Sequence, residues 1–350
     1  MPISDRSSLK RHQRHSATIT DVASLAGVSI ATVSRVINGT TRVSVAAATK
    51  VRAAITTLNF VPHSAARVLA TKKTNTIGLI LPEISGFYFS PLLRGIEDGI
   101  RGTGYDLLVH SAVFRQESGE RPTVKLGEHN TDGLLVFAAS LSNEEIARLY
   151  TIGFPMVLLH QSPPKGFEIP CVTIENKAGA FALTEHLITV HGYRKIAFLE
   201  GPVTHEDSYW REMGYREALS AHGLKHDPGL VSIGRFDAKI ALNSVTEWLN
   251  SGVEFDAIFA GDDDGATGAI TAIQHAGLRV PEDIAVVGFD DIYISQYLSP
   301  PLTTIHAPIE QAGYAASQQL IRLIHQETVN QLVLLPTELI IRRSCGCTWS

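Results

Sequence analysis

The chain of 350 residues is poor in the features on which membrane and secreted proteins depend. It contains three cysteines, Cys171, Cys345 and Cys347, which are too few for a disulfide framework. No uninterrupted apolar run reaches the length of about 18 residues that marks a membrane-spanning helix. The first 14 residues are basic but no apolar segment follows them, so we do not expect a secretory signal. The sequence therefore predicts a soluble protein of a reducing compartment, the cytoplasm.

Motifs of catalysis and metal binding are also scarce. No Gly-x-Gly-x-x-Gly follows a predicted strand, and neither a Walker loop nor a nucleophile elbow occurs. The 14 histidines show no ligand spacing, and the consecutive carboxylates at 262–264 do not converge on one ion. Cys345 and Cys347 could bind metal or act in redox chemistry, but they have no second Cys or His pair nearby in the sequence, so we interpret them as a reduced tail. We expect no enzyme, no cofactor and no metal.

Charge is divided unevenly along the chain. Residues 1–73 contain eleven Lys and Arg against two acidic residues, a formal charge of +9, whereas the remainder contains 19 basic and 33 acidic residues, a charge of −14. A basic head on an acidic body is typical of a protein in which one domain meets nucleic-acid phosphate and the other does not. A basic membrane-surface segment is the alternative, which the set of capped helices described next disfavours.

Two short helices are predicted on either side of a tight turn at residues 27–29. Thr18 is placed to cap the first helix with Asp21 as its capping-box partner, and Ser29 is placed to cap the second. Gly27 lies where the first helix must end, because glycine adopts positive φ freely. Apolar residues recur at helical spacing in both segments: Ile19, Val22, Ala23 and Ala26, then Val33, Val36 and Ile37. This is the pattern of a helix-turn-helix, whose second helix enters the major groove of DNA.

A third helix distinguishes this segment from an ordinary pair of packed helices. Ser44 can cap it, and its apolar positions Val51, Ile55 and Leu58 would close a core over the first two helices. Pro62 ends the unit, so we predict a DNA-binding domain at residues 16–62. The polar face of the second helix presents six side chains: Ile30, Ala31, Thr32, Ser34, Arg35 and Asn38.

From Thr76 onward, apolar segments of strand length alternate with helical segments. Strands are expected at 77–81, 105–109, 133–137, 155–159, 172–174, 195–199, 230–233, 256–260 and 284–288, and two of the intervening helices at 91–101 and 178–190. The pattern is weakest at 115–128, where glycine and proline interrupt an expected helix. Such alternation is typical of parallel sheets built from βαβ units. About ten strands exceed one modest sheet, so we predict two subdomains.

Open parallel sheets bind ligands at the carboxyl ends of their strands. The residues found there suit a polyhydroxylated ligand, since carboxylates and arginine bond to hydroxyl groups and aromatic rings stack on a sugar or a base. They are Phe87, Tyr88, Phe89, His160, Gln161, Arg211, Phe236, Asp262, Asp263, Asp290 and Asp291. Taken singly, Arg211 is also compatible with a solvated helix charge, Phe236 with core packing and His160 with a satisfied loop residue.

Four short motifs of the helix-turn-helix carry a family resemblance: Asp21-Val-Ala23, Ala26-Gly-Val-Ser29, Thr32-Val-Ser-Arg35 and Asn38. With them the chain resembles the lactose/galactose-repressor (LacI/GalR) family of bacterial transcription regulators, and the similarity continues to about Arg343. The resemblance implies a small all-α helix-turn-helix domain followed by an α/β periplasmic-binding-protein-like domain of two doubly wound parallel-sheet subdomains. The implied segments are a flexible basic tail at 1–15, the DNA-binding domain at 16–62, a hinge at 63–75, an N-subdomain at about 76–175 and 305–327, a C-subdomain at about 176–304 and 328–343, and a tail at 344–350.

The resemblance also implies a set of DNA contacts. Arg35 is expected to bind guanine with two hydrogen bonds, and the apolar Ile30 and Ala31 suit thymine methyl groups. Leu69 would enter the minor groove as a wedge, although simple packing under the domain is the alternative for this residue. Two-fold symmetry predicts a pseudo-palindromic operator, and the family suggests a central CpG step. The complete set is Thr18, Ser29, Ile30, Ala31, Thr32, Ser34, Arg35, Asn38, His63, Ala66, Arg67, Leu69 and Ala70.

For the effector site, the resemblance implies that Arg211 is the family's ligand-binding arginine. The family segment Asn-Asp-x-x-Ala-x-Gly appears here as residues 262–268, which puts Asp263 in the ligand-contacting acidic position. Two departures change the pattern of donors and acceptors: His160 stands where many members have Asp, and Asp262 where many have Asn. The usual hexose ligand is therefore in doubt.

The expected function is that of a ligand-responsive transcription regulator, which we expect to be a repressor. It would bind operator DNA as a homodimer and a carbohydrate between its subdomains. Two other classes stay open at this point. A small-molecule binding or transport receptor would fit the second domain alone, and a carbohydrate-processing enzyme is more distant. The sequence leaves open the effector, the direction of regulation, the target genes and the choice between dimer and tetramer.

Overall fold

The computed structural model describes residues 17–38, 43–60, 73–112 and 126–348. The chain divides into two compact units, Met1–Thr74 and Asn75–Ser350. Several predictions fall outside the described residues, namely the basic tail at 1–15, most of the weak patch at 115–128, and the hinge contacts His63, Ala66, Arg67, Leu69 and Ala70.

The described part of the first unit consists of three helices, α1 (Ile19–Ala26), α2 (Ile30–Asn38) and α3 (Val45–Leu58). Val22, Val33 and Val51, one from each helix, are completely buried and form the centre of a small core. The periodicity of the apolar residues thus predicted both the helices and the face of each that packs inward.

The predicted caps of these helices are confirmed. The Thr18 hydroxyl accepts the N–H of Asp21, and the Asp21 carboxylate in return accepts the N–H of Thr18 at 2.8 Å, a complete capping box. Gly27 ends α1 in the left-handed conformation with φ of 66°. Ser44 caps α3 by accepting the N–H of Ala47 at 3.3 Å.

The second unit contains twelve described strands: β1 (Thr76–Leu81), β2 (Asp106–Ser111), β3 (Gly133–Phe137), β4 (Met156–Leu159), β5 (Cys171–Ile174), β6 (Ile196–Glu200), β7 (Val231–Ile233), β8 (Ala257–Ala260), β9 (Ala285–Val287), β10 (Thr304–His306), β11 (Leu332–Leu335) and β12 (Glu338–Ile340). A six-stranded parallel sheet has the order β11-β5-β4-β3-β1-β2, and a four-stranded parallel sheet has the order β7-β6-β8-β9. The antiparallel pair β10-β12 is a separate ladder. The structure therefore confirms the predicted architecture of two parallel-sheet halves.

Seven described helices of the second unit accompany these sheets: α4 (Phe89–Ile100), α5 (Asn143–Thr151), α6 (Asn176–His191), α7 (Glu206–Ala221), α8 (Ala238–Asn250), α9 (Asp263–His275) and α10 (Ile309–Ile324). Short 3₁₀ turns occupy Pro228–Leu230 and Tyr293–Tyr297. In the described part of the chain, no single helix is long and apolar enough to cross a bilayer; α1 and α2 qualify by length and composition only as a bent pair.

One predicted subdomain boundary is wrong. The sequence placed residues 328–343 together in the C-subdomain, but β11 pairs in parallel with β5 and so completes the edge of the six-stranded sheet. Only after β11 does the chain cross toward the other half, where β12 pairs with β10. The error arose because the pairing of Leu332 with Cys171 joins segments far apart in sequence, which local periodicity does not report.

Candidate DNA interface and ligand cleft

The outer face of α2 presents the side chains predicted to read DNA. Ile30, Ala31 and Arg35 are exposed, and Ile30 keeps 48 % of its surface accessible although it is large and apolar. Thr32 and Ser34 are half-buried. These exposed side chains suit base edges in a major groove, because an isoleucine offers apolar contact to thymine methyls and a guanidinium offers paired donors to guanine.

Hydroxyl groups fix the start of α2. Ser29 Oγ accepts the N–H of Thr32 at 3.2 Å and lies 2.9 Å from Thr32 Oγ1. The chain bends by 105° between α1 and α2, within the range of about 90–120° typical of a helix-turn-helix. Thr18 and Ser29, both predicted to contact DNA, thus have established roles as helix caps. Asn38 is the last residue of α2.

Arg211, on α7, lies at the centre of a buried polar cluster in the second unit. It is 2 % exposed, and its guanidinium donates in three directions. Nε donates to Asn176 Oδ1 at 2.8 Å, Nη1 to the carbonyl oxygen of Gly261 at 2.6 Å, and Nη2 to Asp290 Oδ1 at 2.8 Å. Its Cζ lies 3.8 Å from the centroid of the Phe289 ring, a cation–π contact. The side chain is held in one orientation by groups from three separate segments.

A close approach of two helices brings Arg211 to Asn176. A Cβ atom on Gly214 of α7 would lie 2.2 Å from the carbonyl oxygen of Lys177 on α6. Only glycine therefore lets the two backbones meet at this point. Asn176 begins α6 and Arg211 lies one turn before Gly214, so this contact sets the distance between them.

A second chain of contacts joins the two halves of the unit. Tyr88 and His160 follow β1 and β4 of the six-stranded sheet, and the Tyr88 hydroxyl lies 3.0 Å from His160 Nε2. His160 Nδ1 lies 3.0 Å from Asp207 Oδ2 on α7, an ion-pair distance without the alignment of a hydrogen bond. Asp207 Oδ1 accepts from Asn176 Nδ2 at 2.7 Å. The polar cluster therefore runs from Tyr88 to the Arg211–Asp290 pair.

The cluster contains more carboxylates than cations. The pKa values of these carboxyl groups are therefore shifted in different directions. Burial raises the pKa of Asp290 to about 6, although the Arg211 guanidinium opposes the shift. Burial and the neighbouring Asp290 raise the pKa of Asp262 well above its usual range. Burial would also raise the pKa of Asp207, but His160 and Arg211 outweigh it and the pKa is lowered. Asp207 is therefore the carboxylate most firmly ionised.

Polar atoms without partners mark the side of the cleft nearest the six-stranded sheet. Gln161 Nε2 and Ser140 Oγ are buried and have no hydrogen-bond partner among the described residues. Ser140 follows β3 and Gln161 follows β4, so both lie past the carboxyl ends of parallel strands. Buried donors and hydroxyls of this kind are ordinarily satisfied by a ligand or water. Hydroxyl groups of a polar ligand would satisfy them.

The structure corrects the role predicted for Asp263. This carboxylate is completely buried, and both of its oxygens accept hydrogen bonds from the protein. Oδ1 accepts from Thr304 Oγ1 at 2.6 Å. Oδ2 accepts from the N–H of Ile292 at 3.0 Å and from Ser295 Oγ. Burial raises its pKa to about 8. Asp263 thus ties α9 to the segments on either side of the crossover, and a ligand contact would have to break these bonds.

Its neighbour Asp262 is better placed for a ligand. Asp262 caps α9 through Gly265 N at 2.9 Å, and only the Oδ1 atom is used in this bond. Phe236 is half-buried, and its ring centroid lies 5.4 Å from Arg211 Cζ. A Cβ atom on Gly201 would lie 2.2 Å from this ring, so the glycine provides the space that the ring occupies.

The predicted aromatic run at 87–89 divides between three environments. Phe87 is 48 % exposed, Tyr88 contacts His160, and Phe89 is buried in the core with its ring centroid 5.4 Å from that of Phe137. The structure therefore places Phe89 in the packing beneath the cleft instead of on its lining. Consecutive residues at the start of a helix point in different directions, which a one-dimensional pattern does not resolve.

Three residues of the cluster were missed: Asn176, Asp207 and Phe289. Asp207 lies four residues before Arg211 on one helix, and this i, i+4 spacing was the signal that could have identified it. Phe289 directly precedes Asp290, but its contact with Arg211 joins distant segments. Asn176 offered no local signal.

The interpretation of the two cysteines near the C-terminus also needs correction. The sequence shows no His pair near Cys345 and Cys347, but the fold places His186 and His191 of α6 beside them. His186 Nε2 lies 3.6 Å from the sulfur of each cysteine. The interpretation as an isolated reduced tail is therefore incomplete.

Comparison with known protein families finds two matching models. Residues 18–63 match the model described as bacterial regulatory proteins, lacI family, and residues 184–345 match a periplasmic binding protein-like domain. The ribose operon repressor of Escherichia coli (strain K12) is 34 % identical over 330 residues, covering 93 % of this chain and 99 % of the repressor. The HTH-type transcriptional regulator GalR of the same strain is 32 % identical over 327 residues, covering 93 % and 95 % of the two chains.

Solved structures agree with these matches. The Lac repressor dimer bound to operator and the anti-inducer ONPF has a TM-score of 0.79 at 28 % identity, covering 94 % of this chain and 99 % of that one. The complex of the transcriptional regulator CelR with cellobiose has a TM-score of 0.66 at 30 % identity, with the same coverage. Both resemblances extend over the helix-turn-helix unit and the two-sheet unit together.

Proposed function

The chain belongs to the LacI family of bacterial regulatory proteins, and on this premise we propose that it is a transcriptional repressor whose affinity for operator DNA is controlled by a bound sugar. The observation that carries the proposal is the combination, in one chain, of an exposed α2 face with Arg35 and a buried Arg211 held between Asn176 and Asp290. The first feature suits base edges and the second suits a hydroxylated ligand.

On the DNA side, we assign base contacts to Ile30, Ala31 and Arg35. Thr32 and Ser34, which are half-buried, bond to phosphates and set the register of the helix. The +9 charge of residues 1–73 adds attraction to any DNA sequence. The further members of the interface are Thr18, Ser29, Asn38 and the hinge residues His63, Ala66, Arg67, Leu69 and Ala70, the last five lying outside the described residues.

On the effector side, we assign the ligand to Tyr88, His160, Gln161, Arg211, Phe236, Asp262 and Asp290. Carbohydrate is the favoured class because a similar structure holds cellobiose and another member of the family, from Enterococcus faecium, holds ribose. The unpartnered Gln161 Nε2 and the carboxylates of Asp262 and Asp290 offer the donors and acceptors that sugar hydroxyls require. The Phe236 ring supplies an apolar surface for the face of a sugar ring.

Control of DNA binding follows from the contacts between the two halves. His160 of one half faces Asp207 of the other at 3.0 Å, so a ligand that inserts hydroxyl groups here changes the relative stability of two subdomain orientations. Such a shift needs only a difference in ligand affinity between the two states. The protein acts as a homodimer in the bacterial cytoplasm, where operator DNA is found, and two-fold symmetry requires a pseudo-palindromic operator.

Two measurements test the proposal. Selection from a pool of randomised duplexes by the full-length protein should enrich a pseudo-palindrome with two half-sites, whereas a small-molecule receptor would enrich nothing. Thermal unfolding should then be followed with a panel of neutral sugars, sugar phosphates, polyols and nucleobases. A ligand at about 100 times its Kd stabilises the folded state by about 2.7 kcal/mol. A response confined to nucleobases or anions would reject the sugar assignment.

A further inference from the structure

Four side chains meet at the end of α6 that lies away from the ligand cleft. They are His186 and His191 of the helix and Cys345 and Cys347 of the C-terminal segment. One nitrogen or sulfur atom from each lies within 4.8 Å of all the others. His186 and Cys345 are buried, and the other two are half-buried. Two thiols and two imidazoles, converging in this way, form one of the usual ligand sets of structural zinc.

The measured separations match the edges of a tetrahedron around zinc. The Cys345 and Cys347 sulfurs each lie 3.6 Å from His186 Nε2, and the Cys347 sulfur lies 3.4 Å from His191 Nε2. With Zn–S bonds of about 2.3 Å and Zn–N bonds of about 2.0–2.1 Å at tetrahedral angles, sulfur and nitrogen ligands lie about 3.5–3.6 Å apart. Three of the four sulfur–nitrogen pairs therefore lie at a spacing that one ion can bridge.

The local backbone turns these groups toward one another. The helix ends directly after His191, where Gly192 adopts the left-handed conformation, and the two imidazole rings meet edge to face with centroids 5.1 Å apart. Gly346 between the cysteines has φ of 105°, a conformation that side-chain-bearing residues rarely adopt. This glycine allows both thiols to lie on one side of the turn.

A neighbouring side chain donates a hydrogen bond to one of the two sulfur atoms. Thr303 Oγ1 accepts the N–H of Arg342 at 2.8 Å, which leaves its hydroxyl hydrogen free to donate to the Cys345 sulfur at 3.1 Å. A hydroxyl donated to sulfur stabilises a thiolate, as hydrogen bonds around metal ligands commonly do. Tyr193 stacks on the His191 ring with 18° between the planes and fixes its orientation.

We propose that His186, His191, Cys345 and Cys347 bind one Zn²⁺ ion in a closed, structural site. Thiolate and imidazole ligands favour zinc over magnesium or calcium, which prefer oxygen. Four protein ligands complete the tetrahedron, so no position is open for a substrate. Each cysteine binds as a thiolate, and its proton passes to solvent.

The ion would fasten the end of the chain to the second half of the unit. Ser344, just before the cysteines, bonds to Val286 of β9 through the Val286 N–H at 3.0 Å, so the tail extends the edge of the four-stranded sheet. Asn176 and His191 lie at opposite ends of α6, about 22 Å apart at 1.5 Å per residue. The metal site is thus remote from the Arg211 cluster, and its presence or absence is independent of the proposed sugar site.

Metal analysis of the full-length protein tests this proposal. Reduced, chelator-stripped protein is reloaded with Zn²⁺ and, in a parallel sample, with Co²⁺. We expect one ion per chain and, for cobalt, the intense visible absorption of tetrahedral coordination with sulfur-to-metal charge transfer in the near ultraviolet. A metal content that stays far below one per chain, or a weak octahedral cobalt spectrum, would overturn the proposal.

Variants locate the site. Cys347→Ser and His191→Ala, both at half-buried positions, should each reduce the zinc affinity at least tenfold. With cobalt bound, Cys347→Ser should also lower the intensity of the sulfur-to-metal charge-transfer band, because it removes one of the two thiolates. Cys171→Ala alters the third cysteine, which lies in β5, and should retain the full metal content and spectrum. Chelator should lower the unfolding temperature of the wild type and of Cys171→Ala, but leave that of Cys347→Ser unchanged. If Cys347→Ser bound zinc as the wild type does, the ligand set would be wrong.

Discussion

Arg211 and Asp290, separated by 79 residues in the sequence, form an ion pair at 2.8 Å in which both side chains are buried. Phe289 covers the guanidinium, and Asn176 and Gly261 each accept one further hydrogen bond from it. A charge buried in this way is stable only while its partners are present. The pair therefore fixes the orientation of Arg211, and in the proposed site it leaves Asp290 Oδ2 for a ligand.

Replacing Asp290 tests this use of the pair. Asp290→Asn keeps the volume and an acceptor for Arg211 but removes the charge that strengthens bonds to sugar hydroxyls. We expect the sugar Kd to rise by about tenfold, equivalent to about 1.4 kcal/mol, in calorimetric titration with the responding sugar. Asp283→Asn, at an exposed carboxylate paired with Arg279, is the matched control and should leave the Kd unchanged. Equal affinities for the wild type and Asp290→Asn would remove Asp290 from the site.

The same carboxylate predicts a pH dependence of binding. Burial raises the pKa of Asp290 to about 6, so the carboxylate that accepts from sugar hydroxyls is progressively protonated as pH falls through this value. The wild-type affinity for sugar should decrease below pH of about 6, and Asp290→Asn should lack this decrease. A wild-type affinity that rises on acidification would contradict the assignment.

Arg35 on α2 is predicted to carry base discrimination. Arg35→Ala should cost about 1–3 kcal/mol on the selected operator and much less on a scrambled duplex, because a bidentate contact to guanine is lost. The exposed Arg52 on α3 provides the control, since Arg52→Ala removes the same charge away from the reading face. Fluorescence anisotropy with both duplexes measures the difference. Equal losses on the two duplexes would show that Arg35 contacts only phosphate.

Replacing Asp263 should alter the free energy of unfolding and its dependence on pH, and should leave the response to sugar unchanged. The folded state holds a proton on Asp263 up to its pKa of about 8, whereas an unfolded aspartate releases it near pH of about 3.9. The free energy of unfolding should therefore fall as pH rises between these values, by up to about 1.4 kcal/mol per pH unit from this group. Asp263→Asn should show a shallower slope in thermal unfolding.

The control for that slope is again Asp283→Asn, because the Arg279 guanidinium lowers the pKa of Asp283 to about 2, below the range examined. An unaltered slope in Asp263→Asn, together with a lost sugar response, would restore Asp263 to the ligand site.

Gly201 is predicted to set the position of the Phe236 ring. Gly201→Ala would place a methyl group 2.2 Å from the ring, so the ring must change its position. Sugar affinity should fall several-fold with only a small change in unfolding temperature. Gly127→Ala, where the added carbon would make an ordinary contact with Leu149 at 3.9 Å, serves as the control. Unchanged affinity in Gly201→Ala would remove the Phe236 ring from the ligand contacts.

The sequence predicted those features that depend on neighbouring residues. The caps at Thr18 and Ser44 and the left-handed Gly27 depend on neighbouring residues, and the structure confirms them in the described helices of the first unit. The parallel strands were recognisable because each is a continuous apolar segment bounded by turns. Arg211 was identified through the family resemblance.

Other features depend on pairings between distant segments. The Asp263 carboxylate is bonded by Ser295 and Thr304, which lie 32 and 41 residues from it in the sequence. The approach of His186 to Cys345 spans 159 residues. No local pattern records such contacts, so the sequence alone could not assign them.

The central claim is that sugar binding and operator binding are coupled in one chain. The most direct test measures the operator Kd of the full-length protein by fluorescence anisotropy, without sugar and with the sugar identified by thermal unfolding at saturation. We predict a change of about 5- to 150-fold in operator affinity, and the same factor in sugar affinity when operator is added, because coupling is reciprocal. An operator Kd that stays the same at saturating sugar would contradict the account.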